Sequence, residues 1–227
     1  STALRQYRGR SNAVEASAGY SQALEAACLA KHRPLINCMA HNSVCVFNTR
    51  SSAVTRCSID YKLGDAARGK SHIRESYANT LWLGQTVWPD HDMFHSSDPN
   101  CGRLMAVSKA LSGAPIYLSD APKDFVRESI LPLCFQDGRL LRPLAPAVPL
   151  PDSVCADVFN KPVAYRVIAP LPNGCAAVAA YNLGVVLEDQ GLLDEAAGCF
   201  PGLPDPGWVS YVPMVNLAGG KPVCIES

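Results

Sequence analysis

The sequence predicts an α/β fold: the second half of a (β/α)₈ TIM barrel, followed by a small antiparallel β domain. Three observations predict it. Strand and helix candidates alternate over residues 1–130, proline becomes dense after residue 131, and apolar residues make up 48% of the chain, enough for a sizeable core. Alternation at a spacing of about 25–30 residues indicates βαβ units and a parallel sheet. Four such units are half of a barrel, although a small open α/β sheet would show the same periodicity.

The first unit begins with an Ala- and Glu-rich stretch, residues 11–31, whose apolar positions recur at helical spacing. Pro34 ends this pattern, and the short apolar run 35–40 (LINCMA) is typical of a buried strand. Residues 53–58 (AVTRCS) form the second strand candidate. The helix candidate 71–83 follows, with Ser71 as its expected N-cap.

The last two units are shorter. Residues 86–88 predict a third strand that is stopped by Pro89, and residues 99–112 predict a helix. Gly113 then separates this helix from a fourth strand candidate, residues 114–119 (APIYLS). Residues 122–130 predict one more helix, which closes the barrel part at residue 130.

Residues 131–227 predict the antiparallel β domain, which is possibly incomplete. Asp137-Gly138 is a hairpin signal, and residues 165–169 and 175–182 are strand candidates joined by a Pro-Asn-Gly turn. Residues 187–197 (LEDQGLLDEAA) are a candidate short helix, and 222–227 (PVCIES) a candidate strand.

Composition narrows the function classes. Twenty basic residues balance 20 acidic ones, so net charge gives no reason to expect nucleic acid or an acidic membrane as partner. No apolar run approaches the ~20 residues of a membrane span, and residues 1–10 lack a secretory signal, so we expect a cytoplasmic protein. The ten cysteines form no CxxC pair, so we predict no metal site. The sequence contains no GxGxxG or Walker-type loop, so we predict no cofactor. Without an initiator Met, the chain is expected to be a fragment, and its oligomeric state is left open.

Polar side chains follow every predicted strand. In a barrel the catalytic groups lie on the loops after the carboxyl ends of the strands, so these residues are the site candidates. The candidates that follow the four strands in turn are His41, Asn42 and Ser43; Arg56, Ser58, Asp60 and Tyr61; Asp90, His91, Asp92, His95 and Ser96; and Asp120.

Five blocks in order carry a resemblance to a known family. They are CMAHN (38–42), RCSIDY (56–61), WPDHDMFHS (88–96), ALSGAPIYLSD (110–120) and DGRLLR (137–142). Their order and spacing resemble the raffinose-synthase-like and seed-imbibition-protein-like branch of glycoside hydrolase family 36. The agreement covers about residues 35–145 of the chain.

The resemblance implies a retaining α-galactosidase that acts on oligosaccharides of the raffinose type. Such enzymes use two carboxylates about 5–5.5 Å apart, one as nucleophile and one as general acid and then base. The family's acid/base falls on Asp60, four residues after Arg56, and Ile59 stands where the family pattern has Asp. The nucleophile Asp is expected upstream of Ser1, so the chain alone is expected to be inactive. Two alternatives stay open: galactosyl transfer by the same chemistry, and a non-catalytic carbohydrate-binding relative.

The resemblance also implies a set of substrate-binding residues. Asp92 is expected to bind a sugar hydroxyl, Asp90 to be structural, and His91, in place of the family's Trp, to line the pocket. Asp120 is expected to orient the pocket. The remaining expected contacts are Arg56, Cys38 and His41. From the residues alone, Asp60 could equally be a helix cap or an ion-pair partner of Arg56.

Overall fold

The computed structural model describes residues 12–184 and the backbone of two short strands at 203–204 and 224–225. The helices are α1 (Ala13–Ala30), α2 (Ser43–Asn48), α3 (Ala66–Leu83), α4 (Gly102–Ser112), α5 (Arg127–Ile130) and α6 (Pro151–Val154). The strands are β1 (Ile36–Asn37), β2 (Val54–Arg56), β3 (Trp88–Asp90), β4 (Val148–Pro149), β5 (Tyr165–Pro170), β6 (Ala176–Tyr181), β7 (Leu203–Pro204) and β8 (Cys224–Ile225).

The first sheet is parallel, in the order β1-β2-β3. A parallel bridge between Phe94 and Leu118 follows it, so the fourth predicted strand is reduced to a single bridged residue. The prediction that Pro89 stops the third strand is wrong: β3 runs through Pro89 to Asp90. Proline is tolerated there because, within the described residues, Pro89 is paired only with β2, and the next segment meets the chain only further on, at Phe94, so the missing N–H costs no ladder bond.

The helices that cover this sheet begin at side-chain caps. Asn12 caps α1 by accepting from the amides of Val14 and Glu15. Asp65 caps α3 by accepting from the Arg68 amide, so this helix starts earlier than the predicted cap at Ser71. Residues 122–130 hold only the single helical turn α5, because residues 122–124 form an exposed turn.

Helix α4 ends in a left-handed glycine. Gly113 has φ 70°, which closes the helix and turns the chain toward the Phe94–Leu118 bridge. A Cβ at Gly113 would lie 2.2 Å from the Trp88 ring, so the close approach of the two segments also requires glycine.

Two burial predictions are corrected. The first strand was expected to be buried, but Ile36 of β1 is 41% exposed because β1 pairs only with β2. The sequence also predicts that the aromatic cluster Tyr77, Trp82 and Trp88 packs in the core; Tyr77 is fully buried, whereas Trp82, on α3, is 38% exposed.

The second sheet is antiparallel, in the order β4-β5-β6. Its two long strands match the predicted ones, and the predicted Asp137-Gly138 hairpin is present as a bridge between Cys134 and Leu140. The helix predicted at 187–197 lies outside the described residues. The strand predicted at 222–227 contains β8, which pairs in parallel with β7.

The main hydrophobic core joins helices α3 and α4 to the antiparallel sheet. Tyr77 of α3 packs against Tyr165 of β5, and its hydroxyl lies 2.7 Å from that of Tyr181 of β6. The antiparallel sheet therefore packs against α3, the helix that covers the parallel sheet. Through α3 it stabilises the strand ends of the parallel sheet.

Candidate functional site

A single arginine organises the carboxyl ends of the parallel strands. Arg56 Nε lies 3.1 Å from Asp90 Oδ2, Nη1 lies 3.1 Å from Asp60 Oδ1, and Nη2 lies 2.5 Å from Asp92 Oδ1. Burial opposes the charge of the guanidinium, but the charges of Asp92 and Asp90 outweigh it and raise the pKa of Arg56. The cluster thus combines one fixed cation with three carboxylates.

Strand register brings these groups together. Arg56 is the last residue of β2, Asp90 is the last residue of β3, and the two are paired in the parallel ladder. Parallel strands end at one edge of their sheet, so the side chains at those ends converge. Asp60 and Asp92 come from the loops that follow the same two strands.

Asp90 is the buried anchor of the cluster. Its carboxylate is fully buried, and it accepts from the Tyr117 hydroxyl at 2.9 Å and from the Asp92 amide at 2.9 Å. Burial first, and then the charge of Asp90, raise the pKa of Tyr117, so this phenol stays protonated and donates. These contacts hold the Asp90 carboxylate against Arg56 and the loop that follows β3.

Asp92 is held from three sides. Its Oδ2 accepts from the Tyr61 amide at 2.7 Å, its Oδ1 accepts from the Met93 amide at 2.7 Å, and Arg56 binds Oδ1 as well. Its backbone is left-handed, at φ 69°, a conformation that Asp tolerates better than most residues because its short side chain bonds the local backbone. The Asp92 carboxylate is therefore fixed in one position.

Asp60 differs from the other two carboxylates in exposure. Its side chain is 77% exposed, compared with 0% for Asp90 and 7% for Asp92. The Arg68 guanidinium donates to the Asp60 carbonyl oxygen at 2.9 Å and fixes the backbone at this point. The helix cap of α3 is Asp65, so Asp60 is not used as a cap.

Asp120 supports the loop that follows β3. It accepts from the amides of Ser96 and Ser97 at 2.7 and 2.9 Å. Burial opposes its ionisation, but these hydrogen bonds outweigh burial and lower the pKa of Asp120. The residue therefore fixes the loop after β3.

His91 points into the core. It is 1% exposed, its Nδ1 lies 2.6 Å from Ser108 Oγ, and its ring packs edge-on against Tyr77. Burial lowers the pKa of His91, so the ring is neutral. Because the ring has almost no exposed surface from which to contact a sugar, we do not include His91 among the proposed substrate contacts.

Cys38 and His41 are exposed on the loop that follows β1. Cys38 borders a groove of about 360 Å³ between this loop and α1, whose walls include Tyr20 and Met39. Neither residue bonds the Arg56 cluster within the described residues, so the structure brings together four of the eight predicted site residues: Arg56, Asp60, Asp90 and Asp92.

Sequence reasoning missed two residues that hold this cluster. Tyr117 bonds it directly, and His72 of α3 lies behind it with both ring nitrogens within hydrogen-bond distance of backbone carbonyls. Tyr61, a candidate from the sequence, bonds Asp92 through its amide. Tyr117 lies in the block ALSGAPIYLSD (110–120), but the direction of its side chain depends on the bridge at Leu118, which the sequence alone does not show. His72 carried no signal beyond its place on a helix.

Other site classes find no support in the described part of the chain. Residues 12–184 hold no group of three His, Cys, Asp or Glu side chains that could bind a metal ion. None of the helices within the same range is long and apolar enough to cross a membrane. The eight cysteines of this range are thiols rather than disulfides.

The fold and the cluster define a class: an α/β protein whose candidate site lies at the carboxyl ends of parallel strands, as in barrel enzymes. The chain belongs to the raffinose synthase or seed imbibition protein Sip1 family, which matches residues 3–182. This places it in the raffinose-synthase-like branch of glycoside hydrolase family 36 that its motifs resemble.

Several curated plant enzymes are similar to the chain. It is 32% identical over 177 residues to probable galactinol–sucrose galactosyltransferase 6 of Arabidopsis thaliana, which covers 77% of this chain and 23% of the relative. It is 35% identical over 152 residues to probable galactinol–sucrose galactosyltransferase 1 of the same plant, covering 66% and 20%. It is 40% identical over 96 residues to stachyose synthase of Pisum sativum, covering 42% and 11%. The chain thus spans less than a quarter of the length of these relatives.

Proposed function

We propose that this chain supplies the acid/base half of an α-galactosyltransferase site, in a protein that moves a galactosyl unit from galactinol to sucrose or a related acceptor. The observation that carries the proposal is Asp60: an exposed carboxylate beside two buried ones, at the end of a parallel strand, in the position of the family's acid/base. The donor and acceptor come from the names of the similar plant proteins.

The proposal includes the fold of the whole catalytic domain. We infer that β1, β2, β3 and the Leu118 bridge are four consecutive strands of a (β/α)₈ barrel, with residues 1–130 as its second half. Parallel order and a site at the strand ends support this assignment. Residues 131–227 would then be the C-terminal β domain, packed on the barrel through Tyr77, Tyr165 and Tyr181.

The chemistry follows the retaining scheme. Asp60, protonated, gives its proton to the glycosidic oxygen as that bond breaks, while a second carboxylate forms a bond to the anomeric carbon. Asp60, now ionised, then takes the proton of the acceptor hydroxyl, whose oxygen displaces the second carboxylate. We expect that second carboxylate from the sequence that precedes Ser1.

Transfer is proposed ahead of hydrolysis. Both reactions share the glycosyl-enzyme intermediate and differ in whether a sugar hydroxyl or water attacks it. The similar proteins are named as galactosyltransferases and as a stachyose synthase, which supports transfer over the hydrolysis that the motifs alone first suggested. The oligosaccharide substrate class is the same in both cases.

The remaining roles in the proposal are assigned by contact. Asp92 binds a galactose hydroxyl through a carboxylate held in place by Arg56 and the Tyr61 amide. Asp90 keeps Arg56 in place, and Asp120 fixes the loop after β3. Cys38 and His41 contribute to substrate binding from the exposed loop after β1.

The test uses the protein at its full encoded length. It is incubated with galactinol plus sucrose, with raffinose alone, and with galactinol alone, and the sugars are separated by chromatography. A trisaccharide product in the first mixture supports transfer. Free galactose in all three mixtures, with no trisaccharide formed from galactinol and sucrose, would replace transfer by hydrolysis. No reaction in any mixture would favour a carbohydrate-binding relative.

A further inference from the structure

The two loops that carry the proposed acid/base and sugar ligand are joined from behind by one histidine. His72 of α3 is fully buried. Its Nδ1 lies 2.7 Å from the carbonyl oxygen of Ile59, and its Nε2 lies 2.8 Å from the carbonyl oxygen of His91. Ile59 directly precedes Asp60, and His91 directly precedes Asp92.

We propose that His72, together with Ser58, is a positioning residue that sets the distance between the Asp60 loop and the Asp92 loop. The ring spans the gap between two backbone carbonyls, each one residue from a carboxylate of the site. Its own helix is firmly anchored, because α3 has eight buried residues along its length. The helix therefore serves as a rigid base to which both loops are tied.

The connection between the two loops uses two side chains, His72 and Ser58. Burial, and then the charge of Lys109, lower the pKa of His72 to about 3, so the ring is neutral and carries one N–H. The Ser58 hydroxyl lies 3.1 Å from His72 Nδ1 and 3.1 Å from the Ile59 carbonyl oxygen. The ring then donates its Nε2–H to the His91 carbonyl and accepts at Nδ1 from the Ser58 hydroxyl, so His72 bonds the Asp92 loop directly and the Asp60 loop through Ser58.

Arg56 cannot replace this connection. Its guanidinium joins the Asp60 and Asp92 carboxylates on the strand-end side, whereas His72 bonds the backbone on the helix side. The backbone bonds fix where each side chain starts, and general acid catalysis depends on placing the acid within hydrogen-bond reach of the leaving oxygen.

The kinetic test rests on the proposed function and compares His72→Gln and His72→Leu with Tyr77→Phe. Tyr77→Phe is the matched control: it lies on the same helix, is fully buried and loses a hydroxyl bond to Tyr181, but touches neither carbonyl. Each full-length variant is assayed with galactinol, whose leaving oxygen needs a proton, and with 4-nitrophenyl α-galactoside, whose leaving group does not. We expect His72→Leu to lose at least about tenfold more kcat/KM on galactinol than on the nitrophenyl substrate, because kcat/KM reports formation of the glycosyl-enzyme, the half-reaction in which only the galactinol oxygen needs the acid. His72→Gln, which keeps a donor, should lose less.

Equal losses on the two substrates, or the same pattern for Tyr77→Phe, would overturn the proposal. A second readout does not depend on activity: hydrogen exchange of the Tyr61 amide, which bonds Asp92 across the two loops. We expect faster exchange in His72→Leu and His72→Gln and no change in Tyr77→Phe. If the unmodified protein shows no transfer, the proposed function fails, while unchanged Tyr61 exchange in the His72 variants is the result that refutes the positioning role.

Discussion

Arg56 Nη1 lies 3.1 Å from Asp60 Oδ1, and this contact ties the end of β2 to the exposed carboxylate four residues later. The same guanidinium binds Asp90 and Asp92, which are almost fully buried. An exposed ion pair contributes little to the free energy of unfolding, so the main effect of the Asp60 contact is to orient the Asp60 side chain. Arg56 holds the Asp60 side chain toward the cluster while leaving it open to solvent and substrate.

Replacing Asp60 by Asn should abolish turnover of an unactivated donor in the full-length protein. Asn cannot exchange a proton, and general acid–base catalysis contributes about 10²–10⁴-fold. The loss with 4-nitrophenyl α-galactoside should be smaller in the first half-reaction. Asp137→Asn, the same change at an exposed hairpin far along the chain, is the control. Galactinol turnover at the unmodified rate in Asp60→Asn would remove Asp60 from the mechanism.

Replacing Arg56 by Ala should destabilise the fold strongly. Asp90 and Asp92 would remain as buried carboxylates without their cation, and breaking a buried pair in this way costs about 3–5 kcal/mol. Arg56→Lys should recover part of this loss, because an ammonium restores the charge but cannot contact three carboxylates at once. Urea unfolding of the three proteins measures the difference. A loss below about 1 kcal/mol for Arg56→Ala, typical of an exposed pair, would contradict the account of the cluster.

The sequence could predict the order of the elements and the Arg56–Asp60 pair, but it could not predict His91. Alternating helices and apolar runs identified the parallel strands, and strand ends in a parallel sheet point to the site. Pro89 was expected to end β3, which would have placed His91 on an open loop. Because β3 continues through Pro89 to Asp90, His91 instead enters the core beside Ser108 and Tyr77. Proline is tolerated where no neighbouring strand pairs with its nitrogen, and strand pairing is a tertiary property that one sequence does not show.

The start of α3 was misplaced for a similar reason. Asp65 and Ser71 are both good N-caps, and local sequence does not rank them. The longer helix is favoured by its added first turn, in which Gly69 and Lys70 are buried. A Cβ at Gly69 would lie 2.3 Å from Cys101 Sγ, so the first turn packs closely against the start of α4. Such packing across helices, like the contacts of His72, depends on residues distant in sequence.

Replacing Gly113 by Ala should destabilise the junction between α4 and the Leu118 bridge. Gly113 has φ 70°, and its added Cβ would lie 2.2 Å from the Trp88 ring. The left-handed backbone and the clash each cost about 1–3 kcal/mol. Thermal unfolding measures the loss, with Gly138→Ala as control, because Gly138 has φ 84° but open space around it. A loss in Gly113→Ala no larger than in the control would show that the Trp88 contact is unimportant.

Glu25 should make stability depend on acid pH. Its carboxylate, on α1, accepts from the amides of Arg50, Ser51 and Ser52 and from the Ser52 hydroxyl, and so holds the chain that enters β2. Burial opposes ionisation, but these bonds outweigh it and lower the pKa of Glu25 from 4.5 to about 2. A group with a lowered folded-state pKa stabilises the fold above its unfolded pKa, and this contribution is lost as pH falls from about 4.5 toward 2.

The Glu25→Gln variant isolates this contribution. The free energy of unfolding of the unmodified protein should exceed that of Glu25→Gln by about 1–3 kcal/mol at pH 7, and the gap should narrow as pH falls below 4.5. Urea unfolding at pH 7, 5, 4 and 3 measures both proteins. Glu15→Gln is the matched control, since Glu15 lies on the same helix and is exposed. A gap that stays constant down to pH 3 would mean that the amides around Glu25 do not favour its ionised form.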